Sequence, residues 1–229
     1  MANSINTNVG ALVALQNLNQ TSRDLAVTQN RVNTGQKVSS AKDNGAIWAT
    51  AQNQKANMQV LNTTRNTLQR TQSVNDVGLA AGDTIMDALR QMKELAAGPA
   101  STARDADLAA LRTEVVAAQA AAVFDGTAAL SGLTLTIAAA PTAGQIDADI
   151  ASAISALQTL GTSSKSTERS LAFNDKLQDA LEAGIGNLVD ADLAKESARL
   201  TALQTKQQLG VQALSIANQS SSILLGLFR

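Results

Sequence analysis

Residues 44–97 show one helical periodicity over a great length, and this segment restricts the possible fold more than any other part of the chain. Gly98 and Pro99, which are typical of a helix end, follow it directly, and Ser40 and Asp43 are candidate N-caps at its start. A helix of this length extends roughly 80 Å, so its apolar stripe needs partner helices. We therefore predict a very long helix, continuous or broken once, within a bundle or coiled coil.

The composition favours helices throughout and removes most enzyme chemistry. Of the 229 residues 43 are Ala, the best helix former, whereas Pro numbers 2 and aromatic residues make up 2%. A β-sandwich usually holds more turn-forming and aromatic residues. The chain has no Cys and no His, which excludes disulfides, zinc fingers, Cys nucleophiles and Ser–His–Asp triads. We predict a mainly α protein that is not an enzyme and has no catalytic, cofactor or metal site.

Both ends of the chain have the pattern of long amphipathic helices. Residues 4–33 predict the first helix, with two apolar patterns assigned to one face and Gly35 as its C-cap. Residues 190–227 predict the last helix, with a heptad-like pattern that includes Gly210. A hairpin-like path of the chain pairs these two helices antiparallel. The residues expected to pack them are Ile5, Val9, Leu12, Leu15, Leu18, Leu25, Val32, Leu193, Leu200, Leu203, Leu214, Leu224 and Phe228.

The middle of the chain is helical apart from one short β element. Alternating residues predict a strand at 132–137, and helical patterns cover 102–123 and the region from 145 onward, weakened at 161–164. The fold class is therefore mainly α, a long antiparallel helical bundle or coiled coil with one small β-hairpin near 125–144. The expected core of this rod is Met58, Leu61, Leu68, Leu79, Met86, Leu89, Ile150, Ile154, Leu157, Leu177 and Leu181.

Charge and targeting signals narrow the partners. The formal net charge is −1, so no overall field attracts nucleic acid or an anionic membrane. The first residues lack the basic start and apolar region of a signal peptide. The apolar run Ile223–Phe228 is far shorter than the about 20 residues of a membrane span. We expect neither nucleic-acid binding nor membrane insertion.

Isolated candidate sites have simple structural explanations. Asp147 and Asp149, like Asp190 and Asp192, form a carboxylate pair, but residues two apart do not share a helix face. Without His or other convergent groups, capping or solvated surface is favoured over metal or acid–base chemistry. Trp48 lies near a helix start, where a single Trp is typical of a core or an interface rather than a ligand platform.

Short motifs at both ends and near the middle of the chain form a recognisable set. They are Ile5–Asn8, Arg31–Gly35 and Val38–Asp43 at the N-terminal side, Phe124–Gly126 in the middle, and Asp190, Asp192, Ala194, Glu196, Ala217–Gln219 and Ile223–Arg229 at the C-terminal side. Together they resemble bacterial flagellin, the filament subunit of the flagellum, over roughly 1–137 and 145–229. Asn44-Gly45-Ala46 departs from the family's usual D-A-A, and Asp125 replaces the Asn of its F-N-G turn.

The resemblance implies a structural subunit that polymerises into the filament used for swimming motility. It implies an inner D0 coiled coil of residues 1–40 and 190–229 and a D1 rod of 41–189, with no outer D2 or D3 domain. The implied partners are further copies of the chain, the flagellar type III export apparatus with its chaperone, and the hook-associated and cap proteins. The implied location is extracellular, in the filament, reached without a cleaved signal peptide. No cofactor is implied, but Ser/Thr residues are candidates for O-linked glycans, among them 162–167, Thr134, Thr136 and Thr142.

One segment has two interpretations. Arg90, Gln91, Lys93, Glu94 and Leu95 align with the Q-R-x-R-E-L-A pattern by which an innate immune receptor recognises many flagellins, and Gln91 takes the place of the family's key Arg. Because Gln lacks the bidentate donor of Arg, one hypothesis is weakened recognition. The other is an ordinary interface patch of the rod.

Two other functions fit a chain of long helices. A hook–filament junction protein has similar terminal helices, but usually more residues between them. A soluble helical binding protein or secreted effector has ordered ends and stays monomeric. A filament subunit differs from both because we expect residues 1–40 and 190–229 to be mobile in the monomer and helical in the polymer.

Overall fold

The computed structural model describes residues 8–136 and 141–227, with side chains described as far as residue 219. Its helices are α1 (Val9–Thr34), α2 (Gly45–Ala97), α3 (Thr102–Ala121), α4 (Ala143–Val189) and α5 (Leu193–Leu227). One antiparallel two-stranded sheet pairs β1 (Val123–Phe124) with β2 (Thr127–Ala128). The prediction of a mainly α fold with one small hairpin is confirmed.

Helix ends follow the local chemistry of the sequence. Gly35 ends α1 at φ 69°, in the left-handed region that glycine tolerates best, as predicted. Asn44 caps α2 in place of the predicted Ser40 or Asp43, because its Oδ1 accepts the N–H of Ile47 at 3.1 Å. Ser101 caps α3, and its side chain accepts the N–H of Arg104 at 3.2 Å. α2 ends at Ala97, directly before Gly98 and Pro99.

Both longest helices are unbroken. α2 runs for 53 residues and α4 for 47, through the segment 161–164 where weakening was predicted. Two hydroxyl groups of that segment bond to α2: Ser164 Oγ accepts a hydrogen bond from Gln72 Nε2 at 2.8 Å, and Ser163 Oγ accepts one from Asn75 Nδ2 at 3.3 Å. Ser164 and Thr167 are buried, whereas Thr162 and Ser166 are exposed, so within 162–167 only the exposed hydroxyls stay candidates for glycans.

The β element differs from the prediction. The hairpin turns at Asp125 (φ 49°) and Gly126 (φ 76°), a two-residue connection that matches strand twist. Residues 132–136, predicted as a strand, form no ladder, and the predicted Ile137 lies outside the described residues.

Side chains replace the missing ladder. Asp149 Oδ1 accepts the backbone N–H of Thr136 at 2.8 Å and its hydroxyl at 3.1 Å. Gln119 Nε2 donates to the carbonyl of Leu133 at 2.9 Å. These side chains form the hydrogen bonds to the backbone that a neighbouring strand would otherwise form. The segment with alternating apolar residues is therefore a loop held by side chains rather than a strand.

The chain divides into two compact units. The first comprises Met1–Asn57 and Leu181–Arg229, and the second comprises Met58–Ala180. The second unit has an apolar core supplied by α2, α3, α4 and the loop after the hairpin. Its buried members include Ile85, Met86, Leu89, Met92, Leu108, Val115, Leu130, Leu133 and Ile146.

The predicted rod residues occupy this core unevenly. Met86 and Leu89 are buried in it, and Ile150 and Leu157 pack against it. Ile154 was predicted for the core, but its side chain is 51% exposed. The reason is helical phase: α4 turns Ile146, Ile150 and Ala153 toward the core, and Ile154 falls one residue beyond that face. The remaining predicted residues are half-buried: Met58, Leu61, Leu68, Leu79 and Leu177 in the second unit and Leu181 in the first.

Two glycines let α2 and α4 approach closely in the second unit. A Cβ at Gly78 would lie 2.9 Å from Leu160 Cδ1 and 3.1 Å from the Cβ of Ala129. A Cβ at Gly82 would overlap the side chain of Leu157. Glycine normally destabilises a helix interior, so these positions exchange helix propensity for close packing.

Candidate assembly surface

In the first unit, α1 and α5 form an antiparallel pair whose register three contacts define. Asn8 Nδ2 donates to the carbonyl of Ala217 at 2.7 Å at one end. In the middle, a Cβ at Gly210 would lie 3.3 Å from Leu18 Cδ1. At the other end, Arg31 Nη1 lies 3.2 Å from Glu196 Oε1.

The residues that face each other in this pair, here called the seam, alternate in steps of three and four. Such spacing is typical of the a and d positions of a coiled coil. All of them are buried or half-buried: Ala11, Ala14, Leu18, Thr21, Leu25, Thr28 and Val32 on α1, and Glu196, Leu200, Leu203, Gln207, Gly210, Leu214 and Ala217 on α5.

The seam is polar or small at many of its positions. Thr21 and Thr28 are 3% and 1% exposed, and the hydroxyl of Thr21 donates to the carbonyl of Asn17 at 2.9 Å. Glu196 is buried beside Arg31, and its second oxygen, Oε2, has no hydrogen-bond partner among the described residues. Buried polar groups and small side chains contribute less stabilisation than large apolar ones. The seam therefore specifies register more than it stabilises the pair.

The outside of the same pair is apolar at one end. We call this region the outer apolar surface; its side chains are 44–68% exposed. It consists of Val9, Leu12, Val13 and Leu15 on α1 and Leu209, Val211 and Ile216 on α5. Large apolar residues that are exposed together at one end of a helix pair are candidates for a surface that binds another molecule.

A groove runs along the pair at this end. It has a volume of about 560 Å³, and Val13 and Leu209 both line it. Small residues form its floor, among them Gly10, Ala14 and Gly210. Because these side chains are short, an apolar side chain of a neighbouring helix can enter between α1 and α5.

The residues predicted for terminal packing whose side chains the structure describes fall into two groups. Leu18, Leu25, Val32, Leu200, Leu203 and Leu214 lie in the seam. Val9, Leu12, Leu15 and Leu193 are exposed. Ile5, Phe228 and the side chain of Leu224 lie outside the described residues. The two apolar patterns of the first helix therefore lie on different faces, contrary to the expectation of one.

Sequence reasoning missed the polar seam residues and half of the outer apolar surface. Thr21 and Thr28 were not predicted for the seam, and Glu196 was assigned only to a motif, because only apolar residues were considered for packing. The signal that finds them is the strict spacing of 11, 14, 18, 21, 25, 28 and 32 regardless of polarity. Val13, Leu209 and Ile216 were not predicted, although Leu209 and Ile216 lie seven residues apart, because periodicity does not say which apolar stripe a partner helix covers.

The other end of the pair is charged. Arg31, Lys37, Asp190, Lys195 and Arg199 line a cleft there, together with Asp43. The backbone joins these segments: the N–H of Lys37 donates to the carbonyl of Val189 at 2.7 Å, and the N–H of Ala191 donates to that of Gly35 at 2.9 Å. Asp192 Oδ1 accepts the N–H of Lys195 at 3.1 Å, the capping role that the sequence favoured for this pair.

Asp43 organises the loop before α2. Its Oδ2 accepts the backbone N–H of Ser40 at 2.9 Å and of Ser39 at 3.0 Å, and the hydroxyls of both at 3.1 Å. The N–H of Ser40, followed by the hydroxyls of Ser40 and Ser39, lowers the pKa of this carboxyl. The charged carboxylate of Asp43 thus holds the conformation of this loop through its hydrogen bonds to Ser39 and Ser40.

The segment with two interpretations lies at the C-terminal end of α2, in the second unit. Arg90 Nη1 pairs with Asp87 at 2.9 Å, and Lys93 Nζ pairs with Asp147 at 2.6 Å. Gln91 and Glu94 are exposed. Leu95 is half-buried and packs against the core.

The described parts of the chain hold neither a metal cluster nor a membrane span. No three His, Cys, Asp or Glu residues within 8–136 and 141–227 are grouped so that they could bind a metal ion. None of the helices described there is both long and apolar enough to cross a bilayer.

The chain is similar over nearly its whole length to known flagellins. The family model of the bacterial flagellin N-terminal helical region matches residues 5–134, and that of the C-terminal helical region matches residues 143–228. The chain is 50% identical to Flagellin FljM and 49% identical to Flagellin FljK of Caulobacter vibrioides, with 99% of each chain covered. It is 32% identical to a flagellin of Brucella melitensis over 99% of each chain. The alignment with FljM has 270 positions for a chain of 229 residues, so that relative has residues with no counterpart here.

Proposed function

Because the chain belongs to the bacterial flagellin family, it is a structural subunit of the flagellar filament, and we propose that copies contact each other through the outer apolar surface. A flagellin polymerises with itself into an extracellular filament; it is not an enzyme and has no cofactor. The observation that supports the site is the distribution of residues in the α1/α5 pair, which buries Thr21, Thr28 and Glu196 while it leaves seven large apolar residues exposed.

The energetics favour this use of the surface. Burying a Val, Leu or Ile side chain fully contributes about 1.5–3 kcal/mol, and the free chain leaves seven such side chains about half exposed or more at one end of the pair. A second copy that covers them adds a large apolar contact without rearranging the seam. The same contact is reversible, since nothing in it is covalent.

We extend the proposal to the domain organisation. Residues 1–40 and 190–229 correspond to the inner D0 coiled coil, and 41–189 to the D1 rod. In support, α1 and α5 pair with each other and lie in one compact unit. That unit extends further than the D0 limits, to Asn57 and from Leu181, because the start of α2 and the end of α4 belong to it.

Exposed apolar helices also need cover before assembly. We propose that this need explains a chaperone and delivery through the flagellar export apparatus, with hook-associated and cap proteins as neighbours at the filament ends. The outer apolar surface offers the same side chains to a chaperone as to a second copy, so the two partners would compete. Val13 and Leu209, which line the groove, are the natural positions for testing that competition.

Seeded assembly tests the proposal directly. Purified chain is mixed with short filament seeds and followed by negative-stain electron microscopy. Wild type and a variant lacking residues 190–229 are compared first, and then Leu12→Asp and Ile216→Asp, which place charges on the outer apolar surface. Gln29→Asp is the matched control, because Gln29 is an exposed polar residue on α1.

We expect wild type and Gln29→Asp to lengthen the seeds, and the truncated and surface variants to fail. Growth of Leu12→Asp at the rate of wild type would overturn the assignment of the surface. Failure of Gln29→Asp together with Leu12→Asp would show that added charge, rather than lost apolar contact, stops assembly. Seeds that wild type never lengthens would overturn the function itself.

We also propose that the innate immune receptor recognises this flagellin weakly. In support, Gln91, which takes the place of the family's key Arg, is exposed, and the neighbouring Arg90 is paired with Asp87. A receptor reporter assay should show a weak response that Gln91→Arg increases. A full-strength response of wild type would leave this segment as an ordinary interface patch.

A further inference from the structure

We infer that Phe173 of one copy packs into a cleft around Ile154 of the next copy, and that this contact links the second units end to end in the filament. The inference rests on the proposed function, because it needs a self-polymerising chain. It assigns a second contact, distinct from the outer apolar surface of α1 and α5. Both members lie within the second unit, and neither contributes to its core.

Phe173 is the most exposed large apolar residue of the described part of the second unit, at 69%. The next residue, Asn174, donates a hydrogen bond from Nδ2 to the carbonyl of Leu61 at 3.1 Å. Asn174 on α4 and Leu61 on α2 therefore face each other. Val60, which is 64% exposed, directly precedes Leu61 on α2, just as Phe173 directly precedes Asn174 on α4. In an antiparallel pair, residues that precede facing residues point to the same side. Val60 and Phe173 therefore form one exposed apolar patch.

The opposite side of the same helix pair is polar and already bridged. Arg65 Nε lies 3.4 Å from Asp175 Oδ1, and Gln178 Nε2 donates to Asn62 Oδ1 at 3.1 Å. Two basic residues lie at the edge of the apolar patch: Arg169, four residues before Phe173, and Lys176, three residues after it. Neither has an ion-pair partner among the described residues. The patch is thus apolar in the centre and basic at its rim.

The cleft has the complementary character. It lies between α2 and α4 at the other end of the second unit, has a volume of about 730 Å³, and is lined by Met86, Ile154, Leu157, Asp83, Asp87 and Gln158, with Arg90 beside them. Ile154 exposes half of its side chain there. Asp87 is paired with Arg90, whereas Asp83 has no ion-pair partner in the described chain. The cleft is therefore apolar at its base and acidic at Asp83.

The Phe173 patch and the Ile154 cleft are different surfaces and share no residue, so the contact between two copies joins unlike surfaces. A contact between two different patches of identical chains is heterologous, so it leaves one free patch at each end and extends without limit unless it closes into a ring. An aromatic side chain in an apolar pocket with charges at the rim is the usual composition of an interface hot spot. Phe173 with Arg169 and Lys176 thus fits the Ile154 cleft with Asp83.

The first test measures the critical concentration for seeded growth by sedimentation. Phe173→Asp and Ile154→Asp should each raise it by about tenfold or more, as expected for loss of a hot-spot residue, while thermal unfolding of the free chain stays unchanged. The control is Val116→Asp, since Val116 on α3 is similarly exposed, at 52%, but lies in neither patch. Arg169→Glu should weaken growth, and Arg169→Glu combined with Asp83→Lys should restore it in part.

The second test uses the absence of Cys from the sequence. A chain with both Phe173→Cys and Ile154→Cys has only these two thiols, and oxidation of its filaments should give a ladder of covalent oligomers on a non-reducing gel. The pair Phe173→Cys and Val116→Cys should give none, because disulfides need Cβ atoms within about 4.5 Å. Filaments that form but give no ladder would overturn the contact.

The two proposals fail in different ways. If wild type does not lengthen seeds, the proposed function fails. If wild type grows but Phe173→Asp grows equally well, or Val116→Asp is equally impaired, the function stands and the contact between Phe173 and the Ile154 cleft is wrong.

Discussion

The second unit and the α1/α5 pair of the first unit distribute apolar residues in opposite ways. In the second unit Ile85, Leu89 and Met92 are fully buried in a core that three helices share. In the α1/α5 pair the fully buried residues include Thr28, whereas Leu12 and Ile216 are mostly exposed. The second unit covers most of its large apolar side chains within one chain, whereas the α1/α5 pair leaves seven large apolar side chains outside its seam, where only another molecule can cover them.

The difference teaches how one chain can be both a stable monomer and a polymer subunit. A core of large apolar side chains stabilises the second unit before assembly. The seam keeps α1 and α5 in register with Leu and Val side chains interspersed with Thr, Ala, Gly and one ion pair. On the proposed function, the filament buries the remaining apolar side chains of the pair. Stability and assembly are thereby assigned to different parts of the sequence.

The largest expected effect contrasts two leucines. Leu89→Ala empties a fully buried position and should lower the free energy of unfolding of the free chain by about 2–5 kcal/mol. Leu12→Ala changes an exposed position and should cost less than about 0.5 kcal/mol, while raising the critical concentration for seeded growth. Thermal unfolding by circular dichroism and sedimentation measure the two. Equal losses of monomer stability would contradict the comparison.

The next effect tests the close packing of the second unit. Gly82→Ala adds a methyl group that overlaps Leu157 and should destabilise the free chain by about 1–3 kcal/mol, despite the gain in helix propensity. Gly161→Ala is the matched control, because no atom lies within 4 Å of its added Cβ. It should stabilise the chain by up to about 1 kcal/mol. Stabilisation by both variants would show that α2 and α4 are not held at this separation.

A smaller effect concerns the ion pair of the seam. Arg31→Met leaves the buried Glu196 without its partner and should destabilise the first unit by about 1–2 kcal/mol, less than for a fully buried pair because the Arg31 side chain is 30% exposed. Arg31→Met with Glu196→Leu should recover the loss or exceed wild type. Trp48, the single Trp in a chain without Tyr, reports urea unfolding of this unit by fluorescence. A double variant as unstable as the single one would show that the pair itself stabilises the seam.

The smallest effect is a dependence on pH in the loop before α2. Hydrogen bonds from Ser40 and Ser39 lower the pKa of Asp43 below its ordinary value of 3.8. The stabilisation of the folded chain by the charged Asp43 carboxylate is therefore fully present above pH 3.8. It is lost as the pH falls through the lowered pKa that Asp43 has in the folded chain. Trp48 fluorescence at low pH should show a transition that Asp43→Asn removes. An identical acid transition in both chains would assign it to other carboxyls.

The sequence predicted the fold best where neighbouring residues alone determine the local structure. The periodicity of 44–97 and the stop at Gly98 and Pro99 located α2 almost to the residue, because helix propensity, apolar spacing and the breaker all agree. The turn at Asp125 and Gly126 was equally local. The flagellin motifs, finally, identified the family that the full-length similarity shows.

The failures arose where distant residues decide. Alternation at 132–136 predicted a strand, but Asp149 and Gln119 satisfy its backbone instead. Ile154 fits an apolar stripe, yet the phase of α4 is set by Ile146 and Ala153. Leu12 and Leu15 were assigned to the same face as Leu18, because periodicity alone does not say which of two stripes a partner helix covers.

Hydrogen exchange of free chain and filament, measured segment by segment, tests the central claim most directly. We predict that amides of α1 and α5 exchange rapidly in the free chain and become strongly protected in the filament, whereas amides around Ile85–Met92 are protected in both. The claim is that the terminal pair depends on other copies for most of its apolar burial. Slow exchange of α1 and α5 in the free chain, unchanged on assembly, would contradict it.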